Sequence, residues 1–157
     1  MVSSQNPDNA LLLDNQLCFA LYAASREIIR RYRPLLEPLG LTYTQYVVLL
    51  ALWEQDDVTV HRLGERLHLD SGTLTPLLKK MEAQGWLTRR RDPDDERAVR
   101  VTLTPDGHAL REKAAGIPSS MACSLAMDRG ELASLHEGLA NLLQVLRDGS
   151  PERSSGL

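Results

Sequence analysis

The sequence predicts a mainly α-helical chain that carries one short β-hairpin, and three observations favour this fold class. Apolar residues recur at spacings of three and four along much of the chain, as they do in amphipathic helices. Aromatic residues are scarce, with one Phe and two Trp, so Leu and Ala must fill the core, and this bias favours helices. A polar turn, DPDDER, separates two short runs with strand character, which predicts the hairpin.

The first helix is expected between residue 14 and about residue 37. Asp14 can cap it, and Pro34 should kink or interrupt it before Pro38 and Gly40 end it. The apolar face of this helix is formed by Leu13, Leu17, Leu21, Ala24 and Ile28.

A second helix and a short third helix follow. Thr42 should cap the second, about 43–55, which is apolar nearly all round and should therefore be central and buried. Residues 58–60 could form a very short strand, and residues 60–68 form the third helix.

The fourth helix begins at Asp70 or Ser71 and ends at Gly85, because glycine is favoured just beyond a helix C-terminus. The hairpin follows, with strands at about 86–91 and 98–103. Helix, short helix, turn, helix and basic hairpin, in that order, form the outline of a winged helix-turn-helix.

Two further helices complete the predicted fold. Thr104 begins the fifth, which reaches about residue 115, and Asp128 begins the sixth, which reaches about Leu146. The expected architecture is therefore six helices and a small β-wing in a single domain, residues 1–157.

Composition and charge limit the classes of function that this chain can have. The net charge is −3, yet residues 60–100 hold nine Lys and Arg against seven Asp and Glu, which suits a small DNA footprint on an acidic body. We find no signal-peptide pattern and no apolar stretch long enough to span a membrane, so a cytoplasmic protein without membrane association is expected. No metal-ligand spacing, phosphate loop or catalytic triad appears, so we expect no cofactor, no metal and no enzyme.

The predicted helix-turn-helix contains side chains suited to DNA. A recognition helix enters the major groove N-terminal end first, where hydroxyl groups and backbone N–H groups meet bases and phosphates. Basic side chains further along the helix and on the wing can contact the backbone or the minor groove. Each residue alone has an ordinary alternative, such as helix capping, a solvated face or an edge strand protected by charge. The candidates are Ser71, Thr73, Thr75, Lys79, Lys80, Arg89, Arg90, Arg91 and Arg97.

A family resemblance favours the DNA-binding interpretation. The segment GLTYTQYVVLLAL, followed by VHRLGERLHLDSGTLTPLLKKMEAQGWLTRRRDPDDERAVRVTLTPDGHAL, resembles the MarR family of winged-helix regulators. The resemblance covers about residues 14–147, and DPDDER with VRVTLTPDG is its most specific part. It implies a repressor that binds pseudo-palindromic double-stranded operator DNA, in which Asp92 and Arg97 pair and shape the wing and Arg97 is presented to the minor groove.

The same resemblance implies an interlocked homodimer. The helices at about 10–37 and 104–147 would form the dimer, and residues of about 42–103 would form the DNA-binding lobe. An amphipathic helix at each end of a chain suits that role, because its apolar face needs a partner surface.

Cys18 is the most informative single residue. It lies near the first turn of the first helix, where the helix dipole favours a thiolate, although a lone Cys on such a helix is commonly a small buried residue. Tyr22 lies at i+4 on the same face. Tyr32 lies about 21 Å further along the helix axis, so it could reach only the Cys18 of an antiparallel partner helix, and Tyr43 could arrive in the same way.

The pattern NQLCFALYAASREIIRRYRPLLEPLGLTYTQY, together with LDSGTLTPLLKKME, resembles the organic hydroperoxide resistance regulators within the MarR family. This resemblance implies that Cys18 is the peroxidatic thiol, held by Tyr32 and Tyr43 of the partner subunit with Tyr22 nearby. In the two-cysteine branch of that group, Cys123 would be the resolving thiol. Oxidation by an organic hydroperoxide would then form an intersubunit disulfide and release the DNA.

Two alternatives remain open from the sequence. A MarR-type regulator could respond instead to a small aromatic ligand, with structural cysteines. A thiol peroxidase could use the same two cysteines, although the recognition helix and wing would then have no use.

Overall fold

The computed structural model describes residues 7–149. All six predicted helices are present, and two helices that the sequence did not predict, α1 and α7, accompany them. The helices are α1 Pro7–Ala10, α2 Leu17–Leu36, α3 Tyr43–Glu54, α4 Val60–Leu67, α5 Ser71–Ala83, α6 Pro105–Ala114, α7 Ile117–Ser124 and α8 Arg129–Asp148. The strands are β1 Val58–Thr59, β2 Leu87–Arg91 and β3 Val99–Leu103.

The start of α2 differs from the prediction that Asp14 caps it. Asp14 belongs to a separate 3-10 turn, Leu13–Asn15, and the N-cap position is held by Gln16. The Gln16 side-chain amide donates to the carbonyl oxygens of Ala10 and Leu12, at 2.6 and 3.1 Å, so this turn is closed before the helix begins. Cys18 is still in the first turn of α2. The helix continues through Pro34 without interruption.

The core forms around α3, as its all-round apolar pattern predicts. Thr42 caps α3 in a capping box, with its hydroxyl accepting from the N–H of Gln45 and the Gln45 side chain accepting from the N–H of Thr42. Gln45 is buried and donates to the Gln84 side chain at 3.0 Å, which ties α3 to the end of α5. The fully buried core side chains on the two helices include Val48, Leu49, Leu52, Leu74, Leu78 and Met81.

The three strands form one antiparallel sheet in the order β1-β3-β2. The hairpin register sets Leu87 opposite Leu103 and Arg90 opposite Arg100, while β1 pairs Val58 with Val101. Because side chains alternate across a strand, Leu87, Val101 and Leu103 pack on the core, whereas Arg90 and Arg100 lie on the opposite face of the hairpin.

A tight corner joins the end of α5 to the start of α6. Gly85 has φ 82°, the left-handed conformation predicted for a residue just beyond a helix. The Thr104 hydroxyl donates to the carbonyl of Gly85 at 2.6 Å, and the Thr104 N–H donates to the carbonyl of Trp86 at 3.1 Å. A Cβ on Gly107 would lie 2.0 Å from the Trp86 carbonyl oxygen, so only glycine allows α6 to approach this closely.

The described residues divide into two compact units, one ending at Pro118 and one beginning at Ser119. In the second unit, Asp128 and Glu131 form a capping box at the start of α8, which confirms the predicted start of the last helix. None of the residues of α8 is buried. Among the described helices, none alone is long and apolar enough to cross a membrane, and the bent pair Leu17–Leu39 and Tyr43–Glu54 meets the length and composition test only together.

Candidate nucleic-acid interface and thiol site

The N-terminus of α5 is held by its capping residue. Asp70 accepts from the N–H of Thr73 at 2.8 Å and from the Thr73 hydroxyl at 3.3 Å, and these bonds, the N–H first, lower the pKa of its carboxyl. Ser71 and Thr73 are exposed on the first turn, and Thr75 is half-buried one turn on. Both lysines predicted to contact DNA, Lys79 and Lys80, are exposed.

The wing is shaped by Arg100 rather than by Arg97. Asp92 accepts from Arg100 at 2.9 Å through one carboxylate oxygen and from the N–H of Asp94 at 2.8 Å through the other. The N–H of Asp94 and the guanidinium of Arg100 lower the pKa of this carboxyl. With both oxygens engaged, the predicted pair between Asp92 and Arg97 does not form. Arg97 is exposed, and its side chain makes no hydrogen bond or ion pair among residues 7–149.

Arg100 also fastens the wing to the turn before β1. Its Nε donates to Asp57 at 2.9 Å, and its guanidinium donates to the Asp57 carbonyl as well. Arg90 stands directly opposite Arg100 and lies 3.6 Å from the same carboxylate, so Asp57 offsets the repulsion between two facing cations. These bonds, above all the one from Arg100, lower the pKa of Asp57. Sequence reasoning gave Arg100 no role, although facing arginines in the predicted hairpin already require a nearby anion.

The other wing arginines differ in the hydrogen bonds that their side chains make. Arg89 donates from its N–H and its guanidinium to Glu82 of α5, at 2.8 and 3.0 Å, and is largely buried by that contact. Arg91 donates to the carbonyl of Glu96 at 3.1 Å. Arg89 therefore braces β2 against α5, whereas the guanidinium of Arg97 has no hydrogen bond or ion pair among residues 7–149.

A groove with a volume of ≈ 540 Å³ lies between α5 and the wing. It brings together four of the predicted contact residues, Ser71, Thr75, Arg89 and Arg97. The first turn of the helix and the tip of the wing therefore line one groove, whose polar groups include hydroxyls, the guanidinium of Arg97, the imidazole of His61 and the carboxylate of Asp95.

Both cysteines are free, exposed thiols, Cys18 in the first turn of α2 and Cys123 in α7. Exposure removes the alternative that Cys18 is a side chain buried within its own chain. Tyr22 is exposed, and its hydroxyl accepts from Arg26 at 2.7 Å rather than bonding Cys18. Tyr32 lies on the same unbroken helix as Cys18, which keeps it out of reach of its own thiol.

Tyr32 and Tyr43 are brought together as the sequence suggests, with ring centroids 4.9 Å apart. A third tyrosine, Tyr46, joins them at 5.9 Å from Tyr32. Burial, and then the neighbouring Tyr43, raises the pKa of Tyr32, so its hydroxyl keeps its proton and remains a donor. Sequence reasoning assigned Tyr46 only to the core, although its i+3 spacing from Tyr43 places both on one face of α3.

Known proteins with a similar sequence decide the family. The model of the MarR family matches residues 41–99. The organic hydroperoxide resistance transcriptional regulator of Bacillus subtilis (strain 168) is 50% identical over 143 residues, which cover 90% of this chain and 97% of that protein. The chain belongs to the MarR family. It is thus a DNA-binding transcription regulator with a winged helix-turn-helix, rather than an enzyme.

Solved structures of another family member are similar over most of this MarR-family chain. Reduced AbfR bound to DNA has a TM-score of 0.71 and 39% identity, with 85% of this chain and 93% of that chain covered. Disulfide-formed AbfR has a TM-score of 0.61 and 38% identity, with 83% and 92% covered. AbfR is a protein of Staphylococcus epidermidis.

Proposed function

We propose that this regulator is a homodimeric repressor that senses organic hydroperoxides through Cys18 and releases its DNA when an intersubunit disulfide forms with Cys123. The observation that carries the proposal is an exposed thiol in the first turn of α2, on a chain whose Tyr32, packed against Tyr43 of α3, lies too far along α2 to serve it. The similarity to a hydroperoxide resistance regulator supports the effector class.

The chemistry at Cys18 proceeds in two balanced steps. The thiolate attacks the distal peroxide oxygen, the S–O bond forms as the O–O bond breaks, and the alkoxide takes a proton and leaves as an alcohol. The Cys123 thiolate of the partner subunit then attacks the sulfenic acid sulfur, and hydroxide leaves and becomes water. A helix N-terminus and donor hydroxyls both favour the reactive thiolate, which explains the roles we assign to Tyr32 and Tyr43 of the partner subunit, with Tyr22 nearby.

Exposed apolar surface in each unit supports the homodimer. Near the start of α2, large apolar side chains face solvent, and α8 carries an exposed row at spacings of three and four. The residues are Leu17, Phe19 and Tyr22 in the first unit and Leu135, Leu139, Leu143 and Leu146 in the second. Large exposed apolar patches are uncommon on soluble monomers, and a second copy of the chain would cover these side chains.

The proposed DNA contacts follow from the groove between α5 and the wing. The first turn of α5 offers the hydroxyls of Ser71, Thr73 and Thr75 to the major groove, and Lys79 and Lys80 extend toward the phosphates. Arg97 at the wing tip reaches the minor groove, because no residue among 7–149 holds its guanidinium. The contribution of Arg89, Arg90 and Arg91 is smaller, since each already has a partner within the chain.

A gel-shift experiment tests the proposal. Reduced protein first selects a duplex from a random-sequence pool, and the shifted band is then followed as cumene hydroperoxide is added and afterwards reversed with dithiothreitol. We expect retardation by the reduced protein, loss of the band on oxidation and its return on reduction. A band that persists at peroxide concentrations that consume the Cys18 thiol would contradict the proposal.

Cys123→Ser should separate oxidation from disulfide formation. The variant should lose its Cys18 thiol to peroxide at the wild-type rate, because Cys18 reacts first, yet show no dimer band on a non-reducing gel. Wild-type protein treated in parallel should show that band. If the wild type shows no dimer band, or if Cys123→Ser shows one, Cys123 is not the resolving thiol.

Arg97→Ala should weaken DNA binding about tenfold while the free energy of unfolding changes by no more than about 0.5 kcal/mol, because the exposed side chain makes no hydrogen bond or ion pair among residues 7–149. Arg100→Ala is the matched control on the same hairpin. It should lower the thermal midpoint, since Asp57 and Asp92 both lose a partner. Fluorescence anisotropy with a labelled duplex and thermal unfolding measure the two effects, and unchanged DNA affinity of Arg97→Ala would remove it from the interface.

A further inference from the structure

A row of aromatic rings extends from the sensing tyrosines into the protein. Tyr46 packs against Tyr32 at 5.9 Å on one side and meets Trp53 edge-on at 6.4 Å on the other. Tyr46 and Trp53 are seven residues apart, two turns along the same face of α3. Tyr46 has only 2% of its surface exposed, so its ring cannot turn away without opening the core.

The far end of this row is fixed by a hydrogen bond. The indole Nε1–H of Trp53 donates to the carbonyl oxygen of Gly107 at 3.0 Å. Gly107 is itself held against Trp86, since no Cβ fits between them. The row Tyr32–Tyr46–Trp53 therefore has one anchored end, at Gly107, and one half-buried end, at Tyr32.

We propose that Tyr46 is a positioning residue for peroxide sensing: its buried ring, backed by Trp53, holds Tyr32 in the orientation that serves Cys18 of the partner subunit. This inference rests on the proposed function, because it concerns the same thiol. The contact between the rings of Tyr46 and Tyr32 restricts the orientation of Tyr32, since aromatic pairs at this separation prefer a limited set of geometries. The hydroxyl of Tyr46 is not required by the argument.

The Tyr46 ring has a simple alternative, which is that it only fills the core. A filler would affect stability and leave the chemistry at Cys18 unchanged, whereas a positioning residue changes the oxidation rate, and does so only while Tyr32 has its hydroxyl. These two roles can be separated by a double-mutant cycle between positions 32 and 46.

The experiment measures the rate of Cys18 oxidation by cumene hydroperoxide in full-length dimers carrying Cys123→Ser, so that only one thiol reacts. Tyr46→Leu removes the ring and should slow oxidation about tenfold, the effect of losing one hydrogen bond to a charged group. Tyr46→Phe keeps the ring and should stay within about twofold of the parent. Tyr32→Phe should be slow as well, and the double variant Tyr32→Phe/Tyr46→Leu no slower than Tyr32→Phe alone.

Val48→Ala controls for the loss of core packing. Val48 is fully buried on α3 but lies on the opposite side of the helix from Tyr46, so it should lower stability without slowing oxidation. Should Tyr46→Leu fail to fold, Tyr46→Met is the second variant, because a flexible thioether refills the space without restoring a ring.

Additive slowing in the double variant, or equal rates for Tyr46→Leu and Val48→Ala, would overturn the inference alone. A parent protein whose Cys18 is not oxidised would overturn the proposed function and the inference together. Slow Tyr32→Phe combined with normal Tyr46→Leu would leave the proposed function standing and remove Tyr46 from it.

Discussion

Cys18→Ser is expected to bind its DNA with wild-type affinity and to stay bound at peroxide concentrations that release the wild type completely. The substitution is close to isosteric and lies in the first turn of α2, far in sequence from the α5 and wing residues that we propose contact DNA. The thiolate is the nucleophile in peroxide reduction, and a serine hydroxyl keeps its proton at neutral pH, so the first step has no reactant.

The measurement is a peroxide titration of the DNA-bound fraction, followed by anisotropy at constant salt, since DNA affinity depends steeply on salt. Cys123→Ser is the comparison variant: it also replaces one exposed thiol by a hydroxyl and should stay bound because the disulfide cannot form, but its Cys18 thiol should still be consumed by peroxide, which a thiol titration measures in parallel. If the Cys18→Ser protein dissociates from its DNA at the peroxide concentrations that release the wild type, the sensing residue lies elsewhere.

Gly107→Ala should destabilise the protein by about 3 kcal/mol, at the severe end of overpacking, and lower the thermal midpoint by about 6–12 °C. Alanine in a helix normally stabilises relative to glycine, so the sign of the change is informative. Here the new Cβ would lie 2.0 Å from the Trp86 carbonyl oxygen and 3.1 Å from a Leu103 methyl, and a backbone carbonyl cannot move aside as a flexible side chain can.

Thermal unfolding at a fixed protein concentration measures this change, because the stability of a dimer depends on concentration. Gly116→Ala is the control, since a Cβ at Gly116 meets no atom within 4 Å. Its midpoint should stay within about 2 °C of the wild type. Equal midpoints for the two variants would mean that α6 can shift away from Trp86 at little cost.

Much of the fold could be predicted because its local signals are strong. Four predicted N-cap side chains each accept a hydrogen bond from a backbone N–H in the first turn of their helix: Thr42, Asp70, Thr104 and Asp128. Ser, Thr or Asp just before an apolar run is a recognisable signal for such a cap. Asp14 fails as a cap because the side chain of Gln16 closes a turn with residues before it. Helix α7 was not predicted, because Gly116 and Pro118 suggest a break where the chain in fact starts a new helix at Ile117.

The candidate site could be predicted only in part. Residue types and helix positions suggest Cys18, Tyr32 and the hydroxyls of α5 as candidates, because each of these depends on one element at a time. The sequence predicted Arg97 as the partner of Asp92, whereas the structure shows Arg100 in that position. Arg100 connects β3 both to the wing and to the turn before β1, and the spacing of residues along the chain does not reveal such a contact. Tyr46 was overlooked for a related reason, since its contact with Tyr32 joins two helices.

The corner at Gly107 also makes intrinsic tryptophan fluorescence a probe of the protein's structure. The chain has two tryptophans, and both meet this one residue: Trp53 donates its indole N–H to the carbonyl of Gly107, and the carbonyl of Trp86 lies against its Cα. Indole emission depends on what the ring donates to and on how wet its surroundings are. The fluorescence of Trp53 in the unmodified protein therefore reports on the packing of α3 against the start of α6, and a rearrangement that breaks its bond to Gly107 changes its colour without an added dye.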